Sequence, residues 1–99
     1  MDVLVETRCG TLRGVAEPGL AVFRGIPFAR PPIGPLRFMP PQPPASWTGA
    51  RDASRFGSAA PQNGALIGPV LSLGIGRTSE DCLYLNVWTP GADRRRRPV

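Results

Sequence analysis

Short apolar runs cut by turn residues make up the first quarter of the chain. Val3, Leu4 and Val5 lead through Glu6 and Thr7 to a break at Cys9 and Gly10, and Thr11, Leu12, Arg13, Gly14 and Val15 follow. Both runs are rich in strand formers, and a glycine between them supplies the positive φ that a tight hairpin needs. Glu17, Pro18 and Gly19 give a second turn signal, with proline where φ is fixed and glycine where φ turns positive. Leu20, Ala21, Val22, Phe23 and Arg24 then form a third run. The pattern predicts a small antiparallel meander.

Residues 25–38 carry proline every few positions, and each proline also restricts the residue before it, so helix is excluded. This block reads as an extended wrap laid over a surface, with Ile26, Phe28, Leu36 and Phe38 as apolar anchors. A proline-rich run also suits a linker or a polyproline ligand, but the large apolar residues between the prolines ask for a partner to bury them. The coil continues through residues 39–45 to an aromatic anchor at Trp47. Residues 53–56 admit one turn of helix, with Asp52 as N-cap and Gly57 as stop. Residues 62–77 are glycine-rich and weakly apolar, with no charge before Arg77, and read as a loop.

The most strand-like stretch is residues 80–90. An acidic pair, Glu80 and Asp81, stands at its entrance and Pro90 closes it, with Leu83, Leu85 and Val87 alternating with Tyr84, Asn86 and Trp88. Apolar residues on both faces predict a buried strand. Gly91, Ala92, Asp93 and four arginines, Arg94, Arg95, Arg96 and Arg97, then read as a charged turn.

Composition sharpens this picture. The 13 prolines and 12 glycines are about a quarter of the 99 residues, roughly twice average usage. Helix has little room, and with 41% hydrophobic residues wholesale disorder is not expected either. All 12 basic residues are arginine, set against 7 acids for a net charge of +5. No lysine means no Schiff-base chemistry, and no histidine means no imidazole base or metal ligand. The two cysteines, Cys9 and Cys82, do not make a disulfide framework or a metal-ligand spacing. No secretory leader and no apolar run of membrane-spanning length is visible, so the expectation is a cytoplasmic chain.

Residue by residue, the stretch 80–90 resembles the second signature of the type-B carboxylesterase/lipase family, a branch of the α/β-hydrolases. Phe23, Arg24, Gly25, Ile26, Pro27, Phe28 and Ala29, then Pro31, Pro32, Ile33, Gly34, Leu36, Arg37, Phe38, Pro40, Pro41 and Trp47, resemble that family's N-terminal block. The resemblance implies an α/β-hydrolase fragment whose visible part is mainly β and coil: the meander, the wrap and the first strand of the main mixed sheet. It implies a serine carboxylic-ester hydrolase using an acyl-serine intermediate on a small-molecule carboxylic ester. No cofactor, metal, nucleic acid or membrane partner is implied. Residues 1–99 read as the N-terminal part of one such domain, cut at the start of the next strand, whose partner is the missing C-terminal part.

The catalytic groups of that family need a serine on a Gly-x-Ser-x-Gly elbow, an acid, a histidine and a glycine-rich oxyanion loop. None of Ser46, Ser54, Ser58, Ser72 or Ser79 has glycines in that spacing, and histidine is lacking. The expected catalytic set within this chain is therefore empty. What the resemblance carries over is framework: Arg37, Glu80, Asp81 and Cys82. It implies an ion pair between Arg37 and Glu80, since charges brought to a core edge persist when paired. In secreted relatives the signature cysteine closes a disulfide to a cysteine before a Pro-Gln dipeptide. Here Ala59 and Ala60 precede Pro61 and Gln62, so two free thiols are expected. Cholinesterases also carry a cation-binding tryptophan in this loop, and no aromatic lies between Pro61 and Asp81, which disfavours a choline-type substrate. The alternative reading of the whole chain is a non-catalytic basic binding module, or a remnant, using the run Arg94 to Arg97 on nucleic acid or an acidic surface. That run is one cluster without a stacking platform beside it.

Overall fold

Strands β1 (Asp2–Thr7), β2 (Gly10–Glu17) and β3 (Leu20–Pro27) form the expected meander in the computed structural model of the protein, which describes residues 1–62 and 77–99. β1 pairs antiparallel with β2 from Asp2 opposite Val15 to Thr7 opposite Gly10. The hairpin turn is Arg8 and Cys9, with Gly10 opening β2. The expected role of Gly10 thus shifts. It sits at φ +146°, and a Cβ there would lie 2.6 Å from the Trp47 indole, so glycine is required by the close approach of that ring. Thr7 tightens the turn by donating its hydroxyl to the Gly10 carbonyl at 2.7 Å. The second turn is as expected, with Pro18 and Gly19 (φ +73°) between Glu17 and Leu20.

After β3 the chain leaves the sheet as the proline-rich wrap and returns as β4 (Ala50–Asp52), parallel to β2 with Leu12 opposite Arg51. The wrap is extended apart from one 3₁₀ turn at Gly34–Leu36, which has proline in its first turn. Its two arms are tied by Arg30, whose amide donates to the Gln42 carbonyl at 2.9 Å and whose Nε donates to that of Pro43 at 3.1 Å. Trp47 anchors the returning arm on the hairpin by donating Nε1–H to the Thr11 carbonyl at 2.8 Å.

The helical turn expected at residues 53–56 is absent. Asp52 belongs to β4, and its Oδ1 accepts the Ser54 amide at 3.1 Å in a local turn. Ala53, fully buried, donates its amide to the Arg13 carbonyl and accepts from the Arg24 amide at 2.7 Å. These two bonds hold Ala53 between β2 and β3 and aim its carbonyl at Arg24 instead of at a helical i+4 amide.

β5 (Tyr84–Thr89) runs antiparallel to β3, from Ala21 opposite Thr89 to Pro27 opposite Tyr84. The described strands therefore form one five-stranded mixed sheet, in the order β1-β2-β3-β5 with β4 also on β2. The expected strand over residues 80–90 is shorter, because Glu80, Asp81 and Cys82 form its entrance turn. It is also not buried: Leu85, Val87 and Trp88 keep 40%, 38% and 49% of their surface. Alternation names the apolar faces of a strand but not what covers them. Among the described residues β3 is the one strand beside β5.

The core is small. Leu12, Ala21, Phe23 and Ala53 form it, with Val3, Val5, Ile26, Trp47 and Ala92 packed around them. Val22 is fully buried between its cross-strand partners Val15 and Trp88. The loop expected over residues 62–77 lies, for residues 63–76 and with them Ser72, outside the described residues. Among the described residues no helix is long and apolar enough to cross a membrane.

Candidate functional site

The entrance to β5 gathers the four residues that the sequence singles out. The amide of Asp81 donates to the Ser79 hydroxyl at 3.1 Å and the Tyr84 amide donates to the Cys82 carbonyl at 3.0 Å, so the acidic pair sits in a hydrogen-bonded turn. From this turn Glu80 reaches the wrap, and its Oε1 lies 2.9 Å from Arg37 Nη2. Each side chain of this pair is about half exposed, at 52% and 48%. It is a rim pair and not the core-edge pair that the resemblance led us to expect. Arg37 also stacks over the Phe38 ring at 5.4 Å. Phe38 itself is almost wholly exposed at φ +60°, a backbone region that costs a non-glycine residue about 1 to 3 kcal/mol.

Asp81 turns the other way and accepts the Tyr84 hydroxyl at 2.9 Å. Burial, and then this carboxylate, push the tyrosine pKa above its ordinary value. Tyr84 and the half-buried Cys82 thiol share a cleft of about 560 Å³ with Phe56, Ser58 and Asn86. Both Cys9 and Cys82 are free thiols.

Two partnerships beside this cleft have no signal in the sequence. Arg24 is largely buried between the rings of Phe56 and Trp88, at 5.4 and 5.7 Å, with Nη2 3.0 Å from Glu17 Oε1. Asn86 accepts the Gly25 amide at 3.0 Å through its side chain. Both depend on β5 lying against β3, which short-range spacing does not reveal.

A nucleophile needs a base within hydrogen-bond reach. The chain holds no histidine, and among the described residues no group of three or more histidine, cysteine or acidic side chains is placed to hold a metal. Among the described residues this region ties strands and wrap together, and its hydroxyl–carboxylate contact, Tyr84 with Asp81, closes the turn that opens β5.

The family model described as "Carboxylesterase family" matches residues 1–99. The chain belongs to the carboxylesterase family. Phenmedipham hydrolase of Pseudarthrobacter oxydans is 49% identical over 98 residues, which cover 97% of this chain and 20% of that protein. Para-nitrobenzyl esterase of Bacillus subtilis (strain 168) is 41% identical over 99 residues, covering 97% and 19%. A crystal structure of the Geobacillus stearothermophilus carboxylesterase at pH 6.2 superposes with a TM-score of 0.81 at 44% identity, over 96% of this chain and 18% of that one. The chain thus spans about a fifth of the length of the carboxylesterases it matches. Its fold is the strand-rich part of an α/β-hydrolase esterase.

Proposed function

We propose that this chain is the N-terminal framework of a serine carboxylic-ester hydrolase. The observation that carries the reading is the family match along residues 1–99, with the entrance to β5 tied to the wrap by Arg37 and Glu80. In the complete enzyme a serine attacks the ester carbonyl and the alcohol leaves. Water then releases the acid from the acyl-serine. The nucleophile, base and oxyanion donors of these steps come from outside residues 1–99, so the 99-residue chain alone is inactive. The substrate is a small-molecule carboxylic ester. Two free thiols support a reducing, cytoplasmic location. Arg37, Glu80, Asp81 and Cys82 serve as framework residues.

Reading the chain as a nucleic-acid-binding module is not favoured. Arg97 is held by both oxygens of Asp93 at 2.6 and 2.7 Å and by the Gly91 carbonyl, which turns the basic run into a structured turn.

The test is a block exchange. Residues 1–99 replace the corresponding part of phenmedipham hydrolase, and hydrolysis of a p-nitrophenyl ester is followed beside the isolated 99-residue chain. The chimera is expected to be active and the isolated chain inert. A folded but inactive chimera, or turnover by the isolated chain, overturns the proposal.

A further inference from the structure

Arg51, Arg55 and Arg77 line one cleft of about 450 Å³ between β4 and the entrance to β5. Among the described residues none of the three has a carboxylate within 4.0 Å, whereas Arg13, Arg24, Arg37 and Arg97 each do. The two acids of the cleft already have other partners. Asp52 Oδ1 accepts the Ser54 amide and Asp81 Oδ1 accepts the Tyr84 hydroxyl. Three guanidinium groups against two engaged carboxylates leave the cleft net positive.

The positions of these groups are partly fixed by the fold. Arg51 is half-buried, with its guanidinium carbon 5.5 Å from the centroid of the Trp47 ring, and that ring is pinned to Thr11. Ser79 and Tyr84 add hydroxyl groups to the wall. Guanidinium forks with no internal counter-ion, set in a concave polar surface, match the oxygen geometry of phosphate and carboxylate groups.

We infer that this cleft is a binding site for a small, multiply charged oxyanion of the phosphate or polycarboxylate class. Its occupant bridges β4 to the turn before β5 and holds those two segments together.

The test is arginine footprinting of the 99-residue chain with phenylglyoxal, read by mass spectrometry at constant ionic strength in chloride, inorganic phosphate or citrate. Phosphate, citrate or both are expected to slow modification of Arg51, Arg55 and Arg77 selectively, while Arg94, Arg95 and Arg96 react at the chloride rate. Protection by one anion alone assigns the class. The Arg55→Gln variant is expected to raise the concentration giving half protection of Arg51 and Arg77 by about tenfold, the loss of one charge-assisted contact. Equal protection of all arginines, no protection, or an unchanged concentration in Arg55→Gln overturns the inference.

Discussion

The amide of Gly25 donates to Oδ1 of Asn86 at 3.0 Å. The bond sits where the β3–β5 register slips between Phe23 and Ile26, so that Arg24 and Gly25 together oppose Asn86. A side chain supplies the acceptor that the interrupted ladder lacks. Gly25 stands at φ +70°, and a Cβ on it would lie 2.6 Å from the Arg55 carbonyl oxygen. Gly25→Ala is therefore expected to destabilise the chain by about 1 to 3 kcal/mol through the backbone alone. Asn86→Ala, which orphans a partly buried amide, costs about 1 to 2 kcal/mol, and Asn86→Asp costs less because an acceptor remains. Urea unfolding followed by tryptophan fluorescence reads all three; an unchanged midpoint for Asn86→Ala would show that the bond is not made.

The Arg37–Glu80 pair is half exposed on both sides. A double-mutant cycle with Arg37→Ala and Glu80→Ala in the 99-residue chain is expected to give a coupling of about 1 kcal/mol or less. A coupling above about 2 kcal/mol would place the pair in a drier setting than its exposure indicates.

Asp93 is held down to about 2, below the ordinary 3.8, by the Arg97 guanidinium first and the Arg95 amide second. A depressed carboxyl stabilises the folded turn above its ordinary pKa and loses that contribution as pH falls through the folded one. The structured turn at Gly91 is thus expected to persist down to about pH 4 and to open between about 4 and 2. Carboxyl chemical shifts across an acid titration check this, and Arg97→Ala should move the Asp93 midpoint back towards 3.8. An identical midpoint in that variant would remove Arg97 as the cause.

A quantitative thiol assay in denaturant without reductant is expected to find two thiols per chain, Cys9 and Cys82. A count of zero would mean that they pair after all.

Local chemistry made part of this fold legible. Pro18 and Gly19 mark their turn, and the three apolar runs of the meander carry their own strand preference. The Arg37–Glu80 contact came from resemblance, and spacing alone would not have suggested it. What stayed hidden depends on partners distant in sequence. β4 has three residues and a register set by Thr11, Leu12 and Arg13 of β2. Asp52 carries an N-cap signature, which lost to the bond between the Ala53 carbonyl and the Arg24 amide. Alternation within β5 is the same whether or not a layer lies over it, so the pattern alone does not reveal its exposure; the resemblance does, because it places the other neighbours of this strand in the missing part of the domain.

The side-chain bond from Asn86 to Gly25 also sets an order of events during synthesis. The two residues are 61 positions apart. At ordinary elongation rates of about 5 to 20 residues per second, β3 waits about 3 to 12 s for its outer partner. During that interval its free edge, with Val22 and Phe23 on it, is open to the ribosome-bound neighbourhood. The meander and the returning wrap, which places Ala53 against β3, can form before Asn86 is made. Ala53 lies on the β2 side of β3, with its amide on the Arg13 carbonyl, so the edge that receives β5 stays open until residues 84–89 are made.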